Sequence, residues 1–171
     1  MAAVTIRACT VEDAHPVESL RVAGWQAAYR GIIPDWFLDT LPVDAERRRR
    51  VTAERAGEIA ESVAELGQAV LGWVAAGPCR DDDRPGLDQG EVYACYVVPG
   101  QWRRGIGRLL LTHALGELGR AGRADVTLWV LEANSRARRF YESFGFSPDG
   151  SRQMLDLGCF VPEVRYRRPA P

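Results

Sequence analysis

EVYACYVVPGQWRRGIG, residues 91–107, decides the fold. Its first half, 91–98, is a dense run of strand-forming residues stopped by Pro99-Gly100. Its second half holds two arginines and then Gly105-Ile106-Gly107, from which Gly107, Leu110, Leu111, Ala114, Leu115 and Leu118 fall on one helical face. That pattern predicts an amphipathic helix to about Arg120. Glycines at such a turn let backbone approach a ligand closely and leave the first-turn N–H groups free. With the helix dipole, those N–H groups suit a pyrophosphate, and Arg103, Arg104 and Arg108 add charge. The plainer alternative is a tight glycine turn entering a core helix. A dinucleotide fingerprint is excluded, because it needs glycine where Leu110 stands.

Outward from this stretch the chain alternates strand and helix patterns. Residues 4–9 alternate apolar and polar side chains, and Thr10 to Asp13 reads as a capping box opening a helix through Val17, Leu20, Val22 and Trp25. Gly31 and Pro34 interrupt before a short helical piece at Trp36-Phe37-Leu38 that ends at Pro42. Residues 44–60 read as a polar helix carrying four arginines, 47–50, interleaved with acids as on a solvated face. Residues 62–66 and 69–76 form a hairpin around Gly67-Gln68, and RDDDRPGLDQG, 80–90, is a polar loop. Residues 126–131 are a buried-type strand, 133–143 a helix closed by Gly145, and 151–167 two last strands. No repeat or linker is visible, which predicts one domain over 4–168, a short tail at 169–171, and a mixed α/β (α+β) single sheet.

Composition narrows the function. The 171 residues carry a net charge of −1, too little to hold nucleic acid or an anionic membrane by charge. All 22 basic residues are arginine, so a Walker-type loop and Schiff-base chemistry are both excluded. Cys9, Cys79, Cys95 and Cys159 lie far apart, and neither His15 nor His113 has metal-ligand spacing, so no metal is expected. Scattered thiols suit a reducing compartment. With no apolar run of about 18 residues and no signal-peptide pattern, the expectation is a cytoplasmic protein with no membrane partner.

Two segments carry a resemblance. VVPGQWRRGIGRLLL, 97–111, resembles the acetyl-CoA-binding motif of the GNAT superfamily of N-acetyltransferases, and LWVLEANSRARRFYESFGF, 128–146, resembles its second signature. Both chain ends, Ile6-Arg7 to Ala14 and 164–168, resemble the family too, so the similarity covers nearly the whole chain. One departure is Trp102, where the family usually has Gln or Arg. The resemblance implies a central mixed sheet of about six to seven strands flanked by about four helices. That sheet splays between the strands holding Glu91 and Trp129, which receive pantetheine.

It also implies roles. Tyr141 matches the hydroxyl that protonates the departing thiolate; Glu91 and Tyr93 match positions of a general base; the Cys95 N–H matches an oxyanion donor. Val97, Val98, Arg103, Arg104, Gly105, Ile106, Gly107, Arg108 and Asn134 match cofactor contacts. Tyr29 and Arg30, with Tyr93 and Trp129, are the candidates for the acceptor side. Strand alternation puts Glu91, Tyr93, Cys95 and Val97 on one face unless a bulge intervenes. The implied activity is acetyl transfer from acetyl-CoA to an amine-bearing small molecule or amino acid, in a ternary complex. A non-catalytic acyl-CoA sensor and transfer of succinyl or propionyl groups are the alternatives, and a homodimer fits the family.

Overall fold

The computed structural model describes residues 3–83 and 88–170, so 84–87 of the polar loop and Pro171 of the tail lie outside the described residues. In chain order the elements are β1 (Thr5–Ala8), α1 (Ala14–Ala28), α2 (Asp35–Asp39), α3 (Ala45–Glu54), β2 (Ala60–Leu66), β3 (Ala69–Pro78) and β4 (Gln89–Val97). They continue with α4 (Ile106–Arg120), β5 (Asp125–Leu131), α5 (Ser135–Glu142), β6 (Ser147–Asp156) and β7 (Phe160–Arg168). The strands form one open sheet, ordered β1-β2-β3-β4-β5-β7-β6, in which only β4 and β5 run parallel. Five α-helices flank it among the described residues, one more than the resemblance implies, because the five-residue α2 is a helix of its own. Among the described residues no helix is long and apolar enough to cross a membrane.

Each face of the sheet has its own core. On one, Ile106, Leu110, Leu111, Ala114 and Leu118 of α4 pack on Val74, Val92, Val126, Leu128 and Tyr166. The approach is close: a Cβ on Gly72 of β3 would lie 2.7 Å from Leu110 Cδ1, so glycine there lets α4 sit on the strand. On the other face Val17 and Leu20 of α1 cover Val63, Trp73 and Ala75, while Ile33 and Leu38 meet Leu131 and Val161. The start of α1 is fastened by charge as well as by a cap. Thr10 N donates to Asp13 Oδ2 at 2.9 Å, and Arg7 forks onto the same carboxylate at 2.7 and 2.8 Å.

Two boundaries differ from the sequence reading. The polar helix stops at Glu54 rather than running to residue 60, since Gly57 turns the chain with φ of 89° and Ala60 already belongs to β2. Strand β6 begins at Ser147, ahead of residue 151, because a bulge absorbs the residues between Pro148 and Arg152. In that bulge Gly150 adopts φ of 95° and Asp149 Oδ1 accepts from Ser151 N at 2.9 Å.

Candidate functional site

The parallel strands β4 and β5 pair only at Gln89–Asp125, Gly90–Val126 and Glu91–Thr127. Beyond Glu91 they part, and the gap opens into a cleft of about 1250 Å³ lined from α1, β4, the turn into α4, β5, α5 and the β6–β7 hairpin. The edge that β4 shows to this cleft follows from its other neighbour. Val98 N donates to Leu71 O at 2.9 Å, which fixes the alternation of the antiparallel β3–β4 ladder. Tyr96 then bonds with Trp73, whereas the N–H and C=O groups of Cys95 and Val97 point away from β3, into the cleft. The Val97 carbonyl accepts from Trp102 Nε1 at 2.8 Å, as that orientation requires. Val98 itself spends its N–H on Leu71 and does not line the cleft.

A bulge changes the side-chain faces. Ala75 lies opposite Ala94 and Ala76 opposite Val92, so Tyr93 is an extra residue in β4. The expectation that Glu91, Tyr93, Cys95 and Val97 share one face is therefore corrected. Glu91 and Tyr93 point to the α1 side, where one guanidinium, Arg80, touches both. Cys95 and Val97 pack against the α4-side core. Burial pushes the Cys95 thiol up to about 12, which keeps it a neutral sulfhydryl.

At one end of the cleft the chain turns into α4. Arg103 has φ of 64° and Gly105 φ of 84°, and the first backbone bond into the helix is Leu109 N to Gly105 O. The N–H groups of Ile106, Gly107 and Arg108 precede that bond and have no helical acceptor. Gly107 stands where a Cβ would come to 3.5 Å from Phe140 Cζ, while the Ile106 side chain is buried beneath it in the core. Arg103, Arg108, Arg136 and Arg139 line this end, with Arg104 exposed outside the lining; among the described residues none of these has an ion-pair partner. The guanidinium of Arg136 stacks 3.6 Å from the Trp102 ring centroid, which keeps it at the cleft mouth. Arg136 and Arg139 carry no sequence signal that marks them out as site residues; the start of α5 brings them to the cleft.

Helix α5 closes the cleft. Asn134 caps it by accepting from Ala137 N at 3.1 Å, with its amide lining the cleft. Tyr141 is held between Phe140 and Phe146, at ring separations of 5.3 and 6.1 Å. Among the described residues its hydroxyl has no hydrogen-bond partner, and burial raises its pKa well above 10.

The other end is a chamber under α1. Tyr29 edges against Trp25 at 5.2 Å, and Trp25 Nε1 donates to the Tyr96 hydroxyl at 2.8 Å. Tyr96 carries no sequence signal of its own; the alternation set by Leu71–Val98 puts it there. Tyr93 donates its hydroxyl to Pro78 O, and burial lifts its pKa to about 12. Glu91 is buried, with both carboxylate oxygens on Arg80: Oε2 accepts from the backbone N at 3.0 Å and from Nε at 3.1 Å, and Oε1 from Nη2. Trp129 donates Nε1 to Asp81 at 3.0 Å, and Gln153, Leu155 and Glu163 of the β6–β7 hairpin complete the lining. Arg30 does not line the chamber; it lies on the surface, paired with Asp35 and Asp39.

Among the described residues, a splayed parallel pair, an unpaired arginine cluster at a helix start and a free tyrosine hydroxyl stand together in one cleft. Residues 25–146 match the model of the acetyltransferase (GNAT) family. The chain belongs to the GNAT acetyltransferases. A Mycobacterium tuberculosis protein named "Probable N-acetyltransferase" is 33% identical over 98% of this chain and 96% of its own length. Among solved structures, the PaiA N-acetyltransferase of Thermoplasma acidophilum, in complex with coenzyme A, superposes with a TM-score of 0.73 at 20% identity, covering 94% of this chain and 98% of that one. A chain from Salmonella typhimurium solved with its cofactor acetyl-CoA gives 0.74 at 20% identity, over 99% and 95%. This GNAT chain is thus an N-acetyltransferase, a transferase acting on acetyl-CoA.

Proposed function

We propose that the chain moves the acetyl group of acetyl-CoA directly to the amine of a small-molecule acceptor, with donor and acceptor bound together. The observation that carries this is the Tyr141 hydroxyl: among the described residues it is unpartnered, it is strongly held in its protonated form, and it is set on the wall of the cleft that β4 also lines. Acetyl-CoA, when bound, supplies an acyl group already activated as a thioester. The N–H groups at the start of α4, with Arg103, Arg104, Arg108, Arg136 and Arg139, hold its phosphates. Val97 and Asn134 offer backbone and amide contacts to the arm that leads to the sulfur.

Each remaining role follows from which atoms are free. The Cys95 N–H, turned away from β3, donates to the thioester carbonyl oxygen as negative charge develops there. Tyr141 gives its proton to the departing sulfur. Glu91 keeps Arg80 and Tyr93 in place and takes no proton itself, because Arg80 occupies both of its oxygens. Tyr93, donating to Pro78 O with a pKa near 12, is also no base at neutral pH. The acceptor therefore reacts as the free amine, its proton left to solvent. Tyr29, Tyr93 and Trp129 form the acceptor walls.

The test is thiol release from acetyl-CoA across a panel of primary amines, with acetylated product detected by mass. Release that depends on the amine, with both substrates needed before either product leaves, supports direct transfer. Release independent of the amine, or a stable acetyl-protein, overturns it.

A further inference from the structure

Seven charged side chains among the described residues line the cleft. Arg103, Arg108 and Arg139 lie toward the α4 start, Arg136 stacks on Trp102 and also acts on Tyr29, and Arg80, Glu91 and Glu163 lie toward α1. Arg80 is committed to Glu91. Behind the wall Arg165 is also spent: it donates to Asp81, Asp83, Asp149 and Ser151. Glu163 remains as the one lining carboxylate of the cleft with no ion-pair partner among the described residues. Its Oε2 accepts from Gln153 Nε2 at 2.8 Å, and its other oxygen has no protein donor among those residues.

We infer that the acceptor carries a second cationic group beside the amine that is acetylated, and that Glu163 is the specificity residue that holds it. The inference rests on the acetyl-transfer reading above. Three observations converge on it. Tyr29, whose ring carries no guanidinium among the described residues, suits a cation and its alkyl spacer, whereas Tyr93 and Trp129 already carry Arg80 and Arg165. An acceptor carboxylate, as in an amino acid, meets Glu163 as a like charge. Register places Glu163 across from Leu131 of β5, in the strand pair flanking the split, so it faces the same chamber as Tyr29. Burial above all, then Tyr96, and also the nearby Glu163 charge hold the Tyr29 hydroxyl in its protonated form.

The experiment compares chains of matched length: the diamines putrescine and cadaverine, the monoamine n-butylamine and the amino acid γ-aminobutyrate. Binding to the CoA-saturated protein is measured by calorimetry, and thiol release from acetyl-CoA is followed separately. The diamines should bind at least about tenfold tighter than butylamine, as a charged hydrogen bond provides, with γ-aminobutyrate weakest. Glu163→Gln, of the same shape, should reduce the diamine advantage to about twofold. Unaltered CoA affinity and melting temperature in that variant establish that it folds and that only the acceptor chamber has changed. Diamines binding no better than butylamine, γ-aminobutyrate binding best, or an advantage that survives Glu163→Gln would each overturn the inference. Selective diamine binding with no thiol release would contradict the transfer reading alone.

Discussion

Glu91 of β4 and Thr127 of β5 are the last residues paired across the parallel strands, and the cleft starts at that step. Everything assigned to chemistry lies beyond it: Cys95 and Val97 on the open edge, the α4 start at one end, and Tyr29 and Glu163 at the other. The step is also where Arg80 reaches in to hold the Glu91 carboxylate.

That pairing predicts a stability effect larger than an ordinary surface ion pair. Arg80→Ala leaves a buried carboxylate with one backbone donor and no counter-charge, and should cost about 2 kcal/mol, since the half-exposed arginine was already screened by solvent. Glu91→Gln removes the charge along with the need for it and should cost less. It should also leave the pH profile of kcat unchanged, as the proposed mechanism requires. Urea unfolding and rate–pH profiles check both; a lost or displaced limb in Glu91→Gln would restore Glu91 as the base.

The arginine cluster predicts salt-sensitive cofactor binding. CoA affinity should fall as ionic strength rises from about 0.05 to about 0.5 M, because exposed charges are screened over that range. Arg103→Ala with Arg136→Ala should raise the Kd about tenfold at low salt, and much less at high salt. Calorimetry at two salt concentrations decides it. A Kd indifferent to salt and to both substitutions would remove these side chains from phosphate binding.

Asp13 provides a stability prediction with a sign in pH. Its carboxyl is held below the ordinary 3.8, chiefly by the Arg7 hydrogen bonds. A depressed folded value means the stabilisation is fully present above about pH 4 and is lost as pH falls through the folded pKa. Asp13→Asn should therefore cost about 1 kcal/mol near neutrality, the usual scale of a helix cap. The gap from the wild type should close as the pH drops below about 4. Melting temperatures across that range test it, and a gap that stays constant would show the charge of Asp13 to be irrelevant.

Much of this was legible in the sequence. The strand, turn and helix of 91–120 declare themselves through Pro99-Gly100 and the apolar face of α4, and Thr10 and Asp13 mark the start of α1. The polar helix overran because arginine and alanine continue past Glu54, although Gly57 was a signal that it should stop. The bulge at Tyr93 had no such signal: nothing in VYACYV breaks alternation, and only the register with β3 reveals it. Tyr96, Arg80, Arg136, Arg139 and Glu163 were not legible as site residues, because their roles arise from contacts across distant elements. Arg30 read as an acceptor contact from its place beside Tyr29, but one residue further along a helix end points it to solvent and to Asp39.

The central claim is that Tyr141 protonates the leaving sulfur in the cleft between β4 and β5. Tyr141→Phe, assayed by thiol release at saturating acetyl-CoA and amine, isolates that step while keeping the ring packed between Phe140 and Phe146. The account predicts kcat lower by about 100-fold, the scale of a lost general acid, with CoA affinity within about twofold of the wild type. An unchanged kcat in the folded variant would contradict it.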